Sequence, residues 1–565
     1  MEERNMKIII IGLEAAGAAA ATKARKNSKN AEIVVYDDSD IVSHIPCGIP
    51  YYLGGEISEI NELIARDERW FKKQWNIDVF ANHRVINIKQ EVKQIDVYNK
   101  NTGETFVDTY DKLIIATGAS PMIPPPFNTG TFDNMFQVRS VEDAAKIQHY
   151  IQTNHVGYTT IVGSGSIGLE IAEQLTVKGI QVTIVEMAPQ LLPRMDLDIT
   201  HMIEQKMREK GVQLILGDVI QDLSGGQSIT GYKTAKGLTG KTDMVIMATG
   251  VRPNTQLAVK AGIKLGPSRA IAVDKKMQTS VSDIFAAGDV AESYSLITGD
   301  PLYMPLAATA TKTGRIAGDA ATGGRLEHKG VLGTGLFRAF ELTVGQTGFI
   351  ERQVKEKGID SVLVYAIQPD KKEAMGGKDI VIKALADRQT KRLLGAQIIG
   401  ESGVDKRLDV LATAITFGAK VDDLQHLDLG YSMPYSTPWD PVHLTGMLLG
   451  NAIEDSQSIT PQELISLQNS HQEIQIIDVR SKVVFEESHI VGAINIPMDD
   501  LKERMNEVKK DLPTIVYCDR GKVSYAAQHL LWQAGLTPVY SLSGGNIQYQ
   551  QIIESEQEQQ ALKMR

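Results

Sequence analysis

The sequence predicts an α/β fold that contains two Rossmann-like βαβ units with further α/β regions after them. The first unit is indicated by an apolar, strand-like run at residues 7–11, a glycine turn at residues 12–17 and an alanine-rich helix. The second is indicated by an apolar run at residues 159–162 and a turn at residues 163–168. A strand, a tight glycine turn and a helix are the parts of a βαβ unit that binds a nucleotide.

Composition narrows the class of protein. The chain has 565 residues, of which 42% are hydrophobic and 23% charged, as in ordinary soluble proteins with three or four domains. Its formal net charge of −10 disfavours a nucleic-acid partner, because phosphate binding needs a basic surface. No apolar run approaches the roughly 18–20 residues that span a bilayer, so we expect no membrane association.

The first residues contain an apolar stretch that resembles an export signal. Glu14 interrupts it, and the basic residues Lys23, Arg25 and Lys26 follow it, whereas a signal peptide has its positive charges first. The chain also has only two cysteines. Both features predict a protein of the reducing cytoplasm.

In the first glycine turn, Gly12 allows the tight bend and Gly17 allows close packing of the helix. The next strand ends at Asp37, which is placed to accept a hydrogen bond from a ribose hydroxyl. Glu14 stands where a glycine is usual, and its side chain would crowd a pyrophosphate. The turn as a whole still predicts a dinucleotide site.

The second glycine turn is complete, with Gly163, Gly165 and Gly168 in a G-x-G-x-x-G pattern. Main-chain N–H groups at the start of the following helix favour a pyrophosphate. The next strand ends at Glu186, whose carboxylate suits the free 2′-hydroxyl of NADH and repels the 2′-phosphate of NADPH. This site is therefore predicted to take NADH in preference to NADPH.

Two other strand-like runs end in the same Ala-Thr-Gly tripeptide, at residues 116–118 and 248–250, and a third leads through Ala-Ala-Gly to Asp289. With the two glycine turns, this set resembles the flavoprotein disulfide reductases that have two dinucleotide-binding domains. The resemblance implies FAD in the first site, NAD(P)H in the second and an α+β dimerisation domain after them. It also implies that Asp37 contacts the adenosine ribose of FAD and that Asp289 contacts its ribityl or pyrophosphate group.

The two cysteines, Cys47 and Cys518, lie far apart and have no Cys-x-x-Cys pair or histidine-rich neighbourhood, so no metal site is expected. Most members of the resembled family carry a Cys-x4-Cys disulfide beside the flavin, but position 52 is Tyr52 here. A solitary redox cysteine has to cycle through a sulfenic acid, a mixed disulfide or a persulfide. Pro50 indicates a helix start close to Cys47, which favours the thiolate.

Residues 43–52 resemble the coenzyme A-disulfide reductase branch, which also contains single-cysteine NADH oxidases, peroxidases and persulfide reductases. The resemblance implies that Ser43 and Arg25 belong to the CoA site, where the guanidinium would hold a phosphate. Residues 429–436 resemble the tyrosine-rich loop of this branch. That likeness implies a homodimer in which Tyr435 contacts the substrate and Tyr431 of one subunit reaches Cys47 of the other.

The chain departs from the branch at two positions that bear on its chemistry. The second tyrosine of the branch, expected near positions 373–375, is absent. Ala15 stands where the peroxidase-like members have a histidine, which disfavours peroxide as the dedicated substrate.

Four motifs follow in order near the C-terminus. They are Asp-Val-Arg at residues 478–480, a His-Ile-x-Gly-Ala-Ile-Asn-Ile-Pro run at 489–497, Cys-x-x-Gly-x-x-Ser from Cys518, and Leu-x-Gly-Gly at 542–545. This order resembles a rhodanese domain. Successive N–H groups in the turn after Cys518 would stabilise a thiolate and the persulfide formed when it accepts a sulfane sulfur. Arg520 and Lys522 add positive charge there, and Asp519 opposes it.

The motifs predict four domains, one of them discontinuous. The predicted boundaries are 1–119 with 253–325 for FAD binding, 120–252 for NAD(P)H binding, 326–450 for dimerisation, 451–457 for a polar linker and 458–565 for the α/β rhodanese domain. The charged tail from residue 554 is expected to be frayed or helical.

The predicted activity is the NADH-dependent reduction, through FAD and Cys47, of CoA disulfide, CoA persulfide or polysulfide. In the persulfide version Cys518 relays sulfane sulfur to Cys47, and the fusion of the two domains favours this version. An NADH oxidase that cycles Cys47 through a sulfenate, and a redox or sulfur sensor, are the alternatives. The sequence leaves open the physiological acceptor and whether CoA stays bound.

Overall fold

The computed structural model describes residues 6–454, 457–470 and 472–564. The chain divides into two compact units, one of Met1–Val185 with Gly211–Gly333 and the other of Glu186–Lys210 with Thr334–Arg565. The predicted α/β fold class is confirmed, because each unit combines helices with a parallel sheet.

Up to residue 302, the structure has twenty strands in the described residues. In chain order they are β1 (Lys7–Ile11), β2 (Glu32–Tyr36), β3 (Asp78–Phe80), β4 (His83–Lys89), β5 (Gln94–Asn99), β6 (Thr105–Thr109), β7 (Lys112–Ile115), β8 (Ala119–Pro121), β9 (Met135–Gln137), β10 (Tyr158–Val162), β11 (Gln181–Glu186), β12 (Gln213–Leu216), β13 (Ile220–Gly225), β14 (Ile229–Thr234), β15 (Thr239–Lys241), β16 (Met244–Met247), β17 (Val251–Pro253), β18 (Ile284–Ala286), β19 (Ser293–Tyr294) and β20 (Pro301–Leu302).

Two five-stranded sheets organise the first unit. One is parallel throughout, with the order β18-β7-β1-β2-β3, and the other has the order β12-β11-β10-β16-β9. In the first sheet Ile11 pairs with both Tyr36 and Ile115, so the carboxyl ends of β1, β2 and β7 meet at one edge. This edge is where open α/β sheets bind their ligands.

The helices up to residue 321 connect these strands. They are α1 (Ala15–Asn27), α2 (Ile49–Gly54), α3 (Glu68–Trp75), α4 (Val141–Thr153), α5 (Ser166–Val177), α6 (Leu197–Glu209), α7 (Gln256–Lys260) and α8 (Ala307–Ala321). Shorter 3-10 helices cover Pro46–Gly48, Ile60–Leu63, Gln90–Val92, Phe127–Thr129 and Gly288–Val290.

The second unit contains two sheets of its own. Its strands are β21 (Gly335–Ala339), β22 (Leu342–Gly348), β23 (Ser361–Pro369), β24 (Asp379–Asp387), β25 (Leu393–Gly400), β26 (Ser458–Ile459), β27 (Gln475–Asp478), β28 (Ala493–Asn495), β29 (Thr514–Tyr517) and β30 (Val539–Leu542). The antiparallel sheet has the order β21-β22-β25-β24-β23, and the parallel sheet the order β26-β30-β29-β27-β28.

The remaining helices belong to this unit. They are α9 (Glu351–Glu356), α10 (Val404–Thr416), α11 (Val421–Gln425), α12 (Pro441–Ile453), α13 (Pro461–Asn469), α14 (Lys482–Glu487), α15 (Lys522–Gln533) and α16 (Gly545–Met564), with 3-10 helices at Glu373–Met375 and Met505–Glu507. Helices α12 and α13 begin with a side-chain cap: Asp440 accepts a hydrogen bond from the N–H of Val442, and Thr460 accepts one from the N–H of Glu463.

A buried lysine joins helix α6 to the antiparallel sheet of the second unit. The Nζ of Lys383 lies 3.1 Å from a carboxylate oxygen of Asp196, 2.8 Å from Asp198 and 2.8 Å from Glu351. Three carboxylates around one ammonium group compensate for its removal from water. This cluster explains why residues 186–210 belong to the second unit.

A tyrosine of the antiparallel sheet belongs to the core of the C-terminal α/β region. Tyr365 of β23 is fully buried in a cluster of apolar side chains from the parallel sheet. Its main-chain N–H donates to the Oγ of Ser543, and its hydroxyl donates to Asp198 at 2.7 Å. Through Tyr365 the antiparallel sheet therefore contributes to the hydrophobic core of the C-terminal α/β region.

The ends of two helices bear on the predicted linker and tail. Helix α12 continues to Ile453, so residues 451–453 of the predicted linker 451–457 are helical; residues 455–456 lie outside the described residues. Helix α16 shows that the tail is helical up to Met564. Among the described residues, no helix combines the length and the apolar character that crossing a bilayer requires.

Candidate active site

The first glycine turn follows β1 and has room for glycine alone. Gly12 adopts a φ of +91°, and a Cβ placed on it would lie 2.5 Å from the carbonyl oxygen of Ala116. A Cβ on Gly17 would lie 1.9 Å from the carbonyl oxygen of Gly12. Helix α1 therefore packs against the turn as closely as a dinucleotide-binding turn requires.

Asp37 and Asp289 lie after two strands of the same sheet. The buried carboxylate of Asp37 accepts hydrogen bonds from the main-chain N–H of Leu13 at 2.7 Å and of Ser39 at 2.8 Å. Burial raises the pKa of both aspartates. The structure thus brings Asp37 to the glycine turn, and the turn with these acids fits the adenosine and pyrophosphate groups of an FAD.

Glu14, the residue that departs from the glycine pattern, is held by two cations. Its carboxylate lies 2.7 Å from the Nε2 of His44 and 3.7 Å from a guanidinium nitrogen of Arg139. Burial opposes ionisation, but the hydrogen bond from His44 and these two positive groups lower the pKa of Glu14. Sequence reasoning found the anomaly at Glu14 and missed its partners, because Arg139 is distant in sequence.

Cys47 lies in the 3-10 helix Pro46–Gly48, directly before α2, as the position of Pro50 predicts. The residue is exposed, yet partial desolvation of the thiol, together with the negative charge of Glu170, raises its pKa. The expected preference for the thiolate is therefore not met by this environment. Arg139 acts in the opposite direction but does not outweigh these two effects.

Arg25 differs from its predicted role. Its guanidinium donates hydrogen bonds to four main-chain carbonyl groups, those of Ser28, Lys29, Trp75 and Asn76. A guanidinium has five N–H donors, so little of its fork is left for a CoA phosphate. Ser43, the other residue assigned to CoA, is buried, and its carbonyl group accepts a hydrogen bond from Ala65.

The three glycines of the second turn have two kinds of environment. A Cβ on Gly163 would lie 2.5 Å from the carbonyl oxygen of Ala248, and one on Gly168 would lie 2.6 Å from that of Gly163. Gly165, directly before α5, has no protein atom within 4 Å of that position. The turn therefore packs tightly on the protein side and leaves open space at its middle glycine, which fits the pyrophosphate of a nicotinamide dinucleotide.

Glu186 ends β11, in the position that the βαβ pattern predicts. The residue before it, Val185, pairs with Val162 at the end of β10. One oxygen of the Glu186 carboxylate accepts a hydrogen bond from the N–H of Ala188 at 2.8 Å.

The tyrosine-rich loop between α11 and α12 is open to solvent. Tyr431 is 52% exposed and Tyr435 is 72% exposed. The carbonyl group of Tyr435 accepts a hydrogen bond from Lys406, which anchors the loop to α10.

Cys518 follows β29 and is buried. Its Sγ lies 3.8 Å from the Oγ of Ser524, and its carbonyl group accepts a hydrogen bond from the N–H of Asn546. Gly521, with a φ of +85°, turns the chain into helix α15. A cysteine at a strand end, before a glycine turn and a helix N-terminus, has the arrangement expected of a sulfur-accepting loop.

The charges around this loop differ from the prediction. The Nε of Arg520 lies 2.9 Å from a carboxylate oxygen of Asp379 on β24, so its charge is engaged with the antiparallel sheet. Asp519 is balanced by Arg480 at 2.9 Å, a contact that sequence reasoning missed. Lys522 is exposed at the start of α15 and remains the candidate cation for a sulfur donor.

Models of three known families match three segments of the chain. A model for the pyridine nucleotide-disulphide oxidoreductases matches residues 6–314, one for their dimerisation domain matches residues 337–432, and one for the rhodanese-like domain matches residues 460–551. The chain belongs to the pyridine nucleotide-disulphide oxidoreductase family. This oxidoreductase therefore depends on FAD and NAD(P)H and carries a rhodanese-like domain on the same chain.

Three relatives of this oxidoreductase differ in their named activities. The NADH oxidase of Methanocaldococcus jannaschii is 35% identical over 441 residues, 78% of this chain and 97% of that protein. The structure of reduced Bacillus anthracis CoADR-RHD has a TM-score of 0.94 at 33% identity and covers 97% of this chain and 98% of its own. A NAD-dependent persulfide reductase from A. fulgidus has a TM-score of 0.88 at 34% identity, with 96% and 100% covered.

Proposed function

We propose that this oxidoreductase uses NADH to reduce CoA disulfide, CoA persulfide or polysulfide at Cys47, with Cys518 as the carrier of sulfane sulfur. The observation that carries the proposal is the presence, on one chain, of a solitary exposed Cys47 in a flavoprotein domain and of Cys518 at the end of β29 in a rhodanese-like domain. Similarity along nearly the whole chain to a CoADR-RHD and to a persulfide reductase supports it.

Each cofactor is assigned to one glycine turn. Gly12, Gly17, Asp37 and Asp289 would hold FAD, which when bound takes a hydride from NADH and delivers two electrons to sulfur. The second turn would hold NADH through its residues Gly163, Gly165 and Gly168. Glu186 selects NADH over NADPH, because its carboxylate accepts a hydrogen bond from a 2′-hydroxyl and repels a 2′-phosphate.

With CoA disulfide, the Cys47 thiolate attacks one sulfur atom. A disulfide bond forms between Cys47 and that CoA as the original S–S bond breaks, and the other CoA leaves as a thiolate that takes up a proton. Two electrons from NADH then cleave the mixed disulfide to the second CoA thiol and the Cys47 thiolate. The sum is one CoA disulfide, one NADH and one proton converted to two CoA thiols and NAD⁺.

With sulfane sulfur, the two cysteines act in sequence. The Cys47 thiolate takes the outer sulfur of a Cys518 persulfide, which leaves Cys518 as a thiolate and Cys47 as a persulfide. Two electrons from NADH break the new S–S bond and release sulfide, which takes up protons from water. This route gives the rhodanese-like domain a task that reduction of a plain disulfide does not.

In our proposal the exposed tyrosine loop acts across the interface of a homodimer. Tyr431 of one subunit would reach Cys47 of the partner and protonate the departing thiolate, while Tyr435 contacts the substrate. The high exposure of both tyrosines and the match to a dimerisation domain support this assignment.

A second candidate function is an NADH oxidase, which the likeness to the Methanocaldococcus jannaschii protein favours. In that case Cys47 would cycle as a sulfenate and oxygen would replace the sulfur acceptor. The two candidates differ in a single requirement, the need for a sulfur compound.

The test is NADH oxidation by the FAD-loaded, full-length protein under anaerobic conditions, with CoA disulfide or CoA persulfide. We expect Cys47→Ser to lower both rates by roughly 1,000-fold or more, because the covalent step is lost. Cys518→Ser should keep the CoA disulfide rate and lose sulfide release when glutathione persulfide is the donor.

Two outcomes would contradict the proposal. Rapid NADH consumption with oxygen alone, lost in Cys47→Ser and unaffected by sulfur acceptors, would establish the oxidase. Unchanged turnover of Cys518→Ser with every donor would make the rhodanese-like domain a docking or sensing module. The mass of the intact protein identifies the species on Cys47, because adducts of CoA, of one sulfur atom and of one oxygen atom differ in mass.

A further inference from the structure

Helices α6 and α16 bring three ligand-type side chains together outside the sites described above. His201 and Glu204 lie one turn apart on α6, and Glu558 lies on α16. One nitrogen or oxygen atom from each of the three lies within 4.8 Å of the others. His201 and Glu204 are buried, and the side chain of His201 is only 1% exposed.

The imidazole of His201 faces carboxylates on both sides without a hydrogen bond to them. Its Nδ1 lies 4.0 Å from a carboxylate oxygen of Glu204 and 3.9 Å from one of Glu558. Its Nε2, 4.0 Å from Glu554, is buried without a hydrogen-bond partner. A buried imidazole usually satisfies both nitrogens, whereas here Nδ1 faces two carboxylates beyond hydrogen-bond distance and Nε2 has no partner among the described residues, so the ring can bind a ligand through Nδ1.

The spacing suits a small cation between the side chains. Ligands that bind a tetrahedral zinc ion at ~2.1 Å lie about 3.4 Å apart, slightly closer than the 3.9–4.0 Å gaps here. The other oxygen of Glu204 accepts a hydrogen bond from the N–H of Leu191 at 2.9 Å, which fixes this carboxylate. A guanidinium nitrogen of Arg208 lies 3.8 Å from a carboxylate oxygen of Glu558, and a bound metal ion would replace this cation as the partner of Glu558.

We propose that His201, Glu204 and Glu558 bind one divalent metal ion of the zinc class, which fastens helix α16 to helix α6. One imidazole and two carboxylates match the nitrogen and oxygen ligands that zinc prefers, whereas calcium and magnesium prefer oxygen alone. The sequence-based expectation of no metal site considered only the surroundings of the two cysteines. The ligands come from distant parts of the chain, so no spacing motif marks them.

The test measures zinc bound by the full-length, FAD-loaded protein after chelator treatment, incubation with zinc chloride and gel filtration. We expect the natural protein to retain one more zinc ion per chain than Glu558→Gln and than His201→Asn. Glu556→Gln, a matched change on the same helix outside the cluster, should retain as much zinc as the natural protein. Elemental analysis by mass spectrometry gives the zinc content.

Any zinc held at Cys47 or Cys518 would be present equally in all these proteins, so it would cancel in the comparison. Glu558 lies on a partly exposed face near the chain end, so Glu558→Gln should fold, as circular dichroism and flavin content will show. If His201→Asn does not fold, Glu558→Gln alone decides. Equal zinc content in the natural protein and in folded Glu558→Gln would overturn the proposal.

Discussion

At the scale of single residues, the environment of Cys47 holds its sulfur as a thiol. Desolvation comes first among the causes that raise its pKa, and the carboxylate of Glu170 comes second. The positive charge of Arg139, which also contacts Glu14, lowers the pKa of Cys47. Since only the thiolate attacks a disulfide, the charge of Glu170 restrains the reactivity of the free enzyme.

Glu170→Gln should therefore accelerate alkylation of Cys47. Removal of one nearby negative charge lowers the thiol pKa, and we expect the rate with iodoacetamide at pH 7.5 to rise roughly two- to fivefold. The rate can be followed by the mass of the intact, FAD-loaded protein. Glu104→Gln, an equal charge change at an exposed position, serves as the control. An unchanged rate in Glu170→Gln would show that the charge of Glu170 does not contribute to the raised pKa of Cys47.

The positions of residues were predictable from sequence where the geometry is local. The turn at Gly12 and the acid at Asp37 occur at the expected places, because a βαβ unit fixes them within one short segment. Arg25 was not predictable in the same way. Its guanidinium binds the carbonyl groups of Trp75 and Asn76, which only the fold brings to it.

At the scale of elements, the turn before α5 separates packing from ligand binding. Gly168 lies where helix and turn touch, and Gly165 lies where no protein atom is near. A methyl group added at these two positions should therefore have different consequences.

Gly168→Ala should lower stability and weaken NADH binding together, because its Cβ would lie 2.6 Å from a carbonyl oxygen and displace α5. We expect a loss of roughly 1–3 kcal/mol in unfolding free energy. Gly165→Ala should leave stability unchanged and raise the KM for NADH roughly tenfold or more, because its methyl group occupies the space left for the pyrophosphate. Thermal unfolding and steady-state kinetics measure the two effects. Wild-type NADH affinity in Gly165→Ala would contradict this placement of the cofactor.

The elements themselves were largely predictable, since each motif is short and lies at a strand end. Residues 451–453 of the predicted linker 451–457 form the end of helix α12, which continues to Ile453.

At the scale of the whole molecule, a homodimer with shared active sites can be tested by complementation. As homodimers, the Cys47→Ser and Tyr431→Phe variants are each expected to be nearly inactive. We expect Tyr431→Phe to lower the rate of CoA disulfide reduction roughly 100-fold. A purified heterodimer of the two should recover about half of the natural activity, because one site then has Cys47 and Tyr431 from different chains. NADH oxidation with CoA disulfide measures the recovery. If the heterodimer recovers no activity, Tyr431 and Cys47 either act together within one chain or do not act together at all.

Contacts between predicted domains lay beyond sequence reasoning. The patterns separate a dimerisation domain from a rhodanese domain, yet Tyr365 of β23 lies in the core of the latter and Arg520 pairs with Asp379 of β24. Neither contact has a sequence signature, because burial of one tyrosine or one ion pair has no fixed spacing. The same holds for His201 and Glu558.

The shared core has a practical consequence for protein engineering. A rhodanese module exchanged at residue 458 for one from another source would arrive without a counterpart for Tyr365, and its cysteine loop would meet Asp379 with an unmatched charge. Successful chimaeras should therefore also replace Tyr365 and Asp379 with the residues that face the module in its own source protein, so that the packing against the module is kept.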